Sequence, residues 1–196
     1  MSDQQIVPIH VLGIPGSLRE GSYNKALLRA AQEEAPDGMT IEIFEIGDIP
    51  FYNRDVEEEG DPEPVQRLKR AIREADAVLI ATPEYQHGLP GVLKNALDWA
   101  SRPPGDAPLK NKVVGMMGAS PSPVGTARAQ LQLRQTLVYN QSRFVARPEV
   151  LVSKAPSKFD DEGRLTDEKA REFIRKHLKA VAEKVHEAQR ESAEAA

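Results

Sequence analysis

Three continuous apolar runs constrain the fold of this chain more than any other feature. They span residues 6–14, 77–81 and 112–119. A strand that is buried on both faces, as in a parallel sheet, is apolar along its whole length rather than at alternate positions. A loop and then a helical pattern follow each run. The chain is therefore predicted to form a parallel β-sheet with helices packed against it.

The remaining segments complete this alternating pattern. Residues 39–46 alternate apolar and polar side chains, which predicts a strand nearer an edge, and residues 143–152 contain a fifth extended segment. Helices are predicted over 25–35, 65–75, 90–101 and 126–140 and from residue 166, and the segment 47–64 is predicted to be a long polar loop. Alternating strands and helices predict an α/β fold with helices on both faces of a five-stranded parallel sheet. We expect one domain over residues 1–188 and a frayed tail over 189–196.

Composition excludes several classes of function. The 196 residues carry a formal net charge of −4, which gives no electrostatic reason to expect a nucleic acid or an anionic membrane as partner. No apolar run approaches the roughly 18 residues that span a bilayer, and the first residues do not resemble a signal peptide, so a cytoplasmic location is predicted. The sequence has no cysteine, and its four histidines lie far apart, so no metal site is predicted. Any redox centre must then be a bound cofactor.

The most unusual loops follow the first, third and fourth predicted strands. Right-handed crossovers leave few doubly wound topologies, among them the flavodoxin-like strand order 2-1-3-4-5. In such sheets ligands bind beyond the carboxyl ends of the strands, at the switch point between strands 1 and 3. We therefore expect these loops to meet in one crevice.

The loop after the first strand, GSLREGSYN (residues 16–24), is suited to holding a phosphate. Gly16 and Gly21 would let backbone amides turn inward, and Asn24 is predicted to cap the next helix, whose positive end favours an anion. The polar donors of the loop are Ser17, Arg19, Ser22 and Asn24. The GxGxxG pattern of dinucleotide sites is missing, so a single terminal phosphate, as on FMN, fits better than the pyrophosphate of NAD. The alternative is a solvated turn with an ordinary helix cap.

The loop after the third strand, TPEYQHGLP (residues 82–90), is dense in turn residues. Pro83 closes the strand, Gly88 permits a positive φ, and Pro90 suits the first turn of the next helix. Backbone amides in such a turn could donate to a flat heterocycle and stabilise the negative charge of a reduced flavin. Its side chains have alternative interpretations: Glu84 as a solvated loop acid or a direct contact, Tyr85 as an interface residue, and His87 as isolated or as a proton donor. Trp99 is predicted to be a core or interface residue.

The two loops together resemble the NADPH-dependent FMN reductase family, which includes bacterial chromate and quinone reductases and some azoreductases. The motifs are GSLREGSYN and TPEYQHGLPGVLKNALDW, and DIPFYNRD (residues 48–55) and residues 118–137 extend the resemblance over roughly residues 11–150. The resemblance implies a flavodoxin-like fold, non-covalent FMN and NADPH or NADH as electron donor. It also implies a homodimer or homotetramer whose active sites lie close to subunit interfaces.

The resemblance also implies which residues bind FMN. Those at the phosphate and ribityl end are Ser17, Arg19, Ser22 and Asn24. Those along the isoalloxazine, largely through backbone groups, are Pro83, Glu84, Tyr85 and Gln86. The loop after strand 4 contributes Ser120 and Gly125, and Gly16 and His87 complete the predicted site. Gln86 stands where the family usually has asparagine.

The predicted reaction is a ping-pong transfer of electrons from NAD(P)H to a small-molecule acceptor. Quinones, azo compounds, flavins and metal oxyanions such as chromate are the expected acceptors. No side chain is predicted to be catalytic, because the flavin carries the hydride chemistry. Three alternatives remain: a flavodoxin-like electron carrier, a flavin- or quinone-sensing protein with little turnover, and a phosphate-binding protein that uses only the first loop.

Overall fold

A parallel sheet forms the centre of the molecule, and the computed structural model describes residues 8–194. The strands are β1 (Ile9–Pro15), β2 (Met39–Ile43), β3 (Ala77–Ala81), β4 (Val113–Ala119), β5 (Arg143–Phe144) and β6 (Val150–Val152). The helices are α1 (Tyr23–Glu33), α2 (Arg54–Glu59), α3 (Glu63–Glu74), α4 (Gly91–Ala100), α5 (Ala127–Tyr139) and α6 (Glu168–Glu194). The strand order is β2-β1-β3-β4-β5, with β6 also paired to β4, and the predicted flavodoxin-like fold is confirmed.

The apolar runs form the central strands because their side chains are covered on both faces. β1, β3 and β4 are buried at nearly every position, whereas β2 alternates and lies at an edge. Val11 pairs with Ala77 and Ala77 pairs with Val113, so the three strands are in step. Their carboxyl ends therefore share one edge of the sheet, and the loops that follow them lie together. Residues 6 and 7 of the predicted first strand lie outside the described residues.

Helices cover both faces of the sheet and build two hydrophobic cores. On one face α1 and α6 bury residues such as Leu27 and Val181. On the other face α3, α4 and α5 bury residues such as Leu68, Leu93 and Leu133. Complete burial of a leucine side chain contributes roughly 2 kcal/mol, so both cores are substantial. They fix the sheet edge on which the candidate site is built.

The predicted fifth extended segment is divided into two short strands. β5 pairs with Val113 and Val114, β6 pairs with β4 from Met117 onward, and Met116 lies between these two pairings. A histidine of α6 fills the gap: His177 Nε2 accepts from the Met116 N–H at 3.1 Å, and His177 Nδ1–H donates to the Pro148 carbonyl at 2.8 Å. These partners require the neutral ring, and burial lowers the pKa of His177 below its ordinary value.

Two further predictions differ from the structure. The segment predicted as a long polar loop contains α2, because Asn53 Oδ1 accepts from the Asp55 N–H at 3.0 Å and caps a helix with acidic residues in its first turn. The predicted frayed tail is helical as far as Glu194, and an ion pair between Arg143 and Glu191 joins its last turns to β5. The rest of that tail lies outside the described residues.

Within residues 8–194, no helix combines the length and the apolar character needed to cross a membrane.

Candidate functional site

A cavity of about 290 Å³ lies at the carboxyl ends of β1, β3 and β4, where the predicted crevice was expected. We call it the switch-point cavity. Its lining residues are Ser17, Arg19, Ser22, Tyr23, Asn24, Pro83, Glu84, Tyr85, Ala119, Ser120 and Pro121. The fold thus brings together most of the predicted site residues from all three loops. The exceptions, which do not line the cavity, are Gly16, Gln86, His87 and Gly125.

A larger cavity, of about 670 Å³, lies along β6 and the start of α6, but it lacks the features of a cofactor site. The charges there are largely paired with one another, Arg147 with Glu149 and Lys158 with Asp167. No residue of the predicted site lines this cavity. We assign the site to the smaller cavity because hydroxyl groups, a helix N-terminus and an arginine converge on it.

The two serines of the loop after β1 are fixed by backbone contacts. Ser22 is the N-cap of α1, and its Oγ accepts from the N–H groups of Asn24 at 3.2 Å and Lys25 at 3.4 Å. Ser17 Oγ accepts from the Arg19 N–H at 3.4 Å, and both serines are only 4% exposed. Because these contacts use the hydroxyl oxygens as acceptors, each O–H remains a donor for a ligand in the cavity.

Arg19 lies at the rim of the cavity and is held by its own loop. Its guanidinium donates to the Gly21 carbonyl at 2.6 Å and lies 5.8 Å from the centre of the Tyr23 ring. The Tyr23 ring in turn packs against Phe159 at 5.1 Å. These contacts use only part of the guanidinium, which keeps further N–H donors for an anion. Together with the positive end of α1, they make this end of the cavity suited to a phosphate.

Two predictions about this loop are wrong in their details. Ser22 caps α1, and Asn24 does not. Asn24 is buried, and its amide bonds the backbone of Ala119, which also lines the cavity. The Gly16 N–H donates to the Ala81 carbonyl at 2.8 Å and so extends the sheet instead of turning toward a ligand. The surroundings of Gly16 are tight, since a Cβ there would lie 3.0 Å from Leu93 Cδ2.

The loop after β3 contains a tight two-residue turn. Tyr85 and Gly88 exchange backbone hydrogen bonds of 3.1 and 2.9 Å around Gln86 and His87. Gln86 and His87 have φ values of 49° and 61°, whereas Gly88, which could adopt a positive φ, does not. A Cβ at Gly88 would lie 2.5 Å from Gln132 Oε1, which accepts from the Leu89 N–H, so a larger residue there would displace this contact. Both turn residues are exposed and away from the cavity lining.

Glu84 is neither solvated nor free to react, because its carboxylate binds the first turn of α5. Its side chain is 7% exposed, and one carboxylate oxygen accepts from the N–H groups of Arg128 at 2.9 Å and Ala129 at 3.2 Å. Thr126, at the start of α5, makes no side-chain cap of its own. The other carboxylate oxygen accepts from the Arg128 guanidinium at 3.3 Å. The negative charge of Glu84 is therefore balanced by a helix N-terminus and a cation.

The loop after β4 supplies a further part of the wall of the cavity. Ser120 is 8% exposed, and its Oγ accepts from the Ser122 N–H at 3.1 Å. Gly125 has a φ of 62° and packs against Leu151, outside the cavity lining. Ala119 and Pro121 contribute to the wall although the sequence reasoning did not select them. Ala119 carries no sequence signal, since it is one more small residue in an apolar strand.

The loop after β2 is held rigidly by α4, beside the site. Asn95 Nδ2 and Trp99 Nε1 both donate to the Pro50 carbonyl, at 2.9 and 2.8 Å, and Asn95 Oδ1 accepts from the Tyr52 N–H at 2.8 Å. Trp99 is fully buried, which confirms its core position. Phe51 is 83% exposed on this fixed loop.

Within residues 8–194, no group of three or more histidine, aspartate or glutamate side chains is arranged to hold a metal ion. The switch-point cavity offers donors, one cation and no uncommitted carboxylate. Its residues therefore fit an anionic organic cofactor.

Comparison with known proteins identifies the family. The sequence model of the family described as NADPH-dependent FMN reductase matches residues 9–157. The chain belongs to this family. The match covers the loops after β1, β3 and β4, and the predicted membership is confirmed. At the level of the family, an enzyme that depends on FMN and NAD(P)H is also confirmed.

Individual relatives agree with this membership. An NAD(P)H-dependent FMN reductase of Pseudomonas aeruginosa is 53% identical over 88% of this chain and 93% of its own length. A quinone reductase of Pseudomonas putida is 43% identical over 82% of this chain and 86% of its own length. Among solved structures, the flavoenzyme NAD(P)H:acceptor oxidoreductase FerB of Paracoccus denitrificans superposes with a TM-score of 0.83 at 35% identity, covering 92% of this chain and 98% of that one.

Proposed function

We propose that this chain is an NAD(P)H-dependent quinone reductase that holds FMN non-covalently in the switch-point cavity. The observation that carries the proposal is the convergence of the Ser17 and Ser22 hydroxyls, Arg19 and the N-terminus of α1 at one end of that cavity. These groups suit the terminal phosphate of FMN. We also propose, in line with the sequence-based prediction, that a single domain carries this function.

The rest of the cavity suits the flat ring of the cofactor. Residues of the loops after β3 and β4 line it together with the end of β4, and they are Pro83, Glu84, Tyr85, Ala119, Ser120 and Pro121. Tyr85 is 53% exposed at the mouth, which leaves access for a second planar molecule. When bound, FMN supplies the two-electron redox chemistry, and the protein supplies binding, orientation and electrostatics.

We further propose a ping-pong cycle in which NAD(P)H and the acceptor use the same cavity mouth in turn. Quinones are the first choice of acceptor, because relatives from several organisms carry the name quinone reductase. Azo compounds, free flavins and metal oxyanions such as chromate are further acceptors to test. The predicted homodimer or homotetramer is supported by large exposed apolar side chains, which are Phe51, Leu131, Val138 and Tyr139. The cytoplasmic location stays a prediction.

An anaerobic redox titration of the purified, FMN-loaded protein tests this function. NADPH or NADH alone should bleach the flavin absorbance, addition of a benzoquinone should restore it, and steady-state double-reciprocal plots should give parallel lines. Slow bleaching by both nucleotides would favour an electron carrier, and intersecting lines would overturn the ping-pong cycle. A protein that cannot take up FMN would overturn the proposal as a whole.

A pair of serine variants tests the position of the phosphate. Ser17→Ala removes a buried hydroxyl of the cavity and should weaken FMN binding about tenfold, because a hydrogen bond to a charged group contributes about 1.5 kcal/mol or more. Riboflavin, which lacks the phosphate, should bind both proteins equally. Ser157→Ala, which removes an exposed hydroxyl outside the cavity, is the matched control and should change neither affinity.

A further inference from the structure

Asn24 occupies a position that the cofactor-binding role expected of it does not explain. Its side chain is 3% exposed at the first turn of α1. Its Oδ1 accepts from the Ala119 N–H at 2.9 Å, and its Nδ2 donates to the Ala119 carbonyl at 3.0 Å. Both polar atoms of the amide are thus engaged with the backbone of a single residue, 95 positions away along the chain.

The sheet explains why Ala119 needs such a partner. The Met117 carbonyl accepts from the Thr82 N–H at 3.0 Å, so this edge of β4 faces β3. Backbone groups two residues further along a strand face the same way, so those of Ala119 also point toward β3. β3, however, ends at Ala81. The Ala119 N–H and carbonyl would therefore be buried beyond the end of their neighbouring strand, which costs about 1–3 kcal/mol for each unpaired group.

We propose that Asn24 is a positioning residue that replaces the missing continuation of β3 and sets the width of the switch-point cavity. The amide joins the start of α1, next to Ser22, to the last residue of β4, next to Ser120. Ser22, Asn24, Ala119 and Ser120 all line the same cavity. The two parts of the lining that carry Ser22 and Ser120 are thereby held at a fixed separation before any ligand binds. This role rests on the proposed function only where it concerns FMN.

The chemistry of the pair selects asparagine. An aspartate keeps the acceptor for the Ala119 N–H but places a carboxylate oxygen against the Ala119 carbonyl. An alanine offers neither group. A glutamine is longer by one methylene group and cannot keep the same geometry from the same Cα position. Asparagine is the side chain of this length with one donor and one acceptor side by side.

The first test uses the apoprotein, so that it does not depend on FMN. In Asn24→Ala the Ala119 amide should exchange with deuterium at least about tenfold faster than in the wild type, since one buried hydrogen bond of about 1.4 kcal/mol is lost. Asn24→Asp should give a smaller increase, because it keeps the acceptor. Asn53→Ala, which removes the exposed asparagine cap of α2, is the matched control and should leave Ala119 unchanged. Unchanged exchange at Ala119 in Asn24→Ala would overturn the proposal.

The second test separates positioning from direct phosphate binding and from a purely structural role. If Asn24 sets the cavity width, the folded Asn24→Ala protein should bind FMN and riboflavin more weakly by similar factors of about ten, whereas Asn24→Asp should lose less riboflavin affinity. Loss of FMN affinity alone would overturn the proposal in favour of a direct phosphate contact. Unchanged affinity for both flavins would overturn it in favour of stability alone.

A measurement on the wild-type chain decides the matter should neither variant fold. Magnetic resonance should detect a scalar coupling across the hydrogen bond from the Ala119 amide nitrogen to the Asn24 side-chain carbonyl carbon. Absence of the coupling, with a fast-exchanging Ala119 amide, would overturn the proposal. Failure of the wild-type protein to bind FMN would instead count against the proposed function, and the apoprotein results on Ala119 would still stand.

Discussion

The loops after β1 and β3 both line one cavity, but different forces hold them in place. In the first loop the contacts are local: Ser22 bonds Asn24 and Lys25, and Ser17 bonds Arg19, across two or three residues. None of residues 16–22, all of which the structure describes, has a positive φ. The loop after β3 contains two non-glycine residues with positive φ. It is held from outside by α5, whose contacts with it lie 43 to 45 positions away along the chain.

The conformation of each loop therefore depends on a different part of the structure. A loop that is organised by its own helix cap can form as soon as the helix forms. A loop that is strained in its backbone persists only when the surrounding structure determines its conformation. The loop after β3 should therefore be the more sensitive of the two to changes outside itself.

The largest expected effect comes from a glycine in β4 that lies beneath the loop after β3. In Gly118→Ala the new Cβ would lie 2.4 Å from the Thr82 carbonyl oxygen and 2.0 Å from Thr126 Oγ1. Since the Thr82 carbonyl is backbone and cannot move away cheaply, we expect a loss of about 3 kcal/mol or more in the free energy of unfolding, measured in urea. The control in the first loop is Gly21→Ala, whose Cβ would meet nothing within 4 Å. Equal stability of the two variants would show that the loops do not differ in this respect.

The contact between Glu84 and α5 comes next in expected size. Glu84→Ala removes the acceptor for two backbone N–H groups at the start of α5, so the free energy of unfolding should fall by about 1–2 kcal/mol. In Glu84→Gln the free energy of unfolding should fall by less. The difference in stability between the wild type and Glu84→Gln should shrink in high salt, because the interaction of the charge with the helix end is screened.

A surface ion pair provides the control for Glu84. Asp98→Asn breaks the exposed pair between Lys94 and Asp98, which lie four positions apart on α4. Such a pair contributes only about 0.3–0.5 kcal/mol. A loss in Glu84→Ala no greater than that in Asp98→Asn would mean that α5 does not support the loop after β3.

The difference between local contacts and contacts far apart along the chain also explains how much could be predicted from the sequence. The continuous apolar runs predicted β1, β3 and β4, and motifs at the strand ends placed the cavity, because these signals are local. The strand order came from the few topologies that right-handed crossovers allow and from the family resemblance. The roles of Glu84 and Asn24 could not be predicted, since each bonds backbone groups at least 44 positions away. The positive φ at Gln86 and His87 could not be predicted either, since the sequence offers Gly88 as the residue that adopts it most readily. The cap of α2 by Asn53 was readable, but it lay within an acidic run that was predicted to be a loop.

A fall in pH should destabilise β4, the strand that supports both loops, and so should not distinguish one loop from the other. His177 accepts from Met116 in β4 as a neutral ring, and burial lowers its pKa in the folded protein. In the unfolded chain a histidine titrates near pH 6.5, so below about pH 6.5 the unfolded state binds more protons than the folded state. The free energy of unfolding should then fall by about 1 kcal/mol per pH unit as the pH drops from about 6.5 toward the lowered folded pKa.

A comparison of histidine variants checks this acid effect. His177→Gln should lower stability at pH 7 but should remove this part of the pH dependence. His186→Gln, on the same helix and partly exposed, should keep the wild-type slope. If His177→Gln keeps the full slope of the free energy of unfolding against pH, other titratable groups must cause that slope.

The smallest expected effect, and the one of opposite sign, concerns the strained turn itself. Gln86 has a φ of 49°, which costs most non-glycine residues about 1 kcal/mol or more, whereas asparagine adopts this region more readily. Because Gln86 is exposed and lies outside the cavity lining, Gln86→Asn should raise the free energy of unfolding by about 0.5 kcal/mol without loss of FMN affinity.

The same substitution in a helix gives the control for Gln86. Gln135→Asn, at an exposed position of α5, should lower stability by a few tenths of a kcal/mol, because asparagine has the weaker helix propensity. Opposite signs for the two variants in urea unfolding would locate strain in the loop after β3. If Gln86→Asn were destabilising, the positive φ would have to be favoured by the surroundings of the turn, and the two loops would then differ in their supports but not in strain.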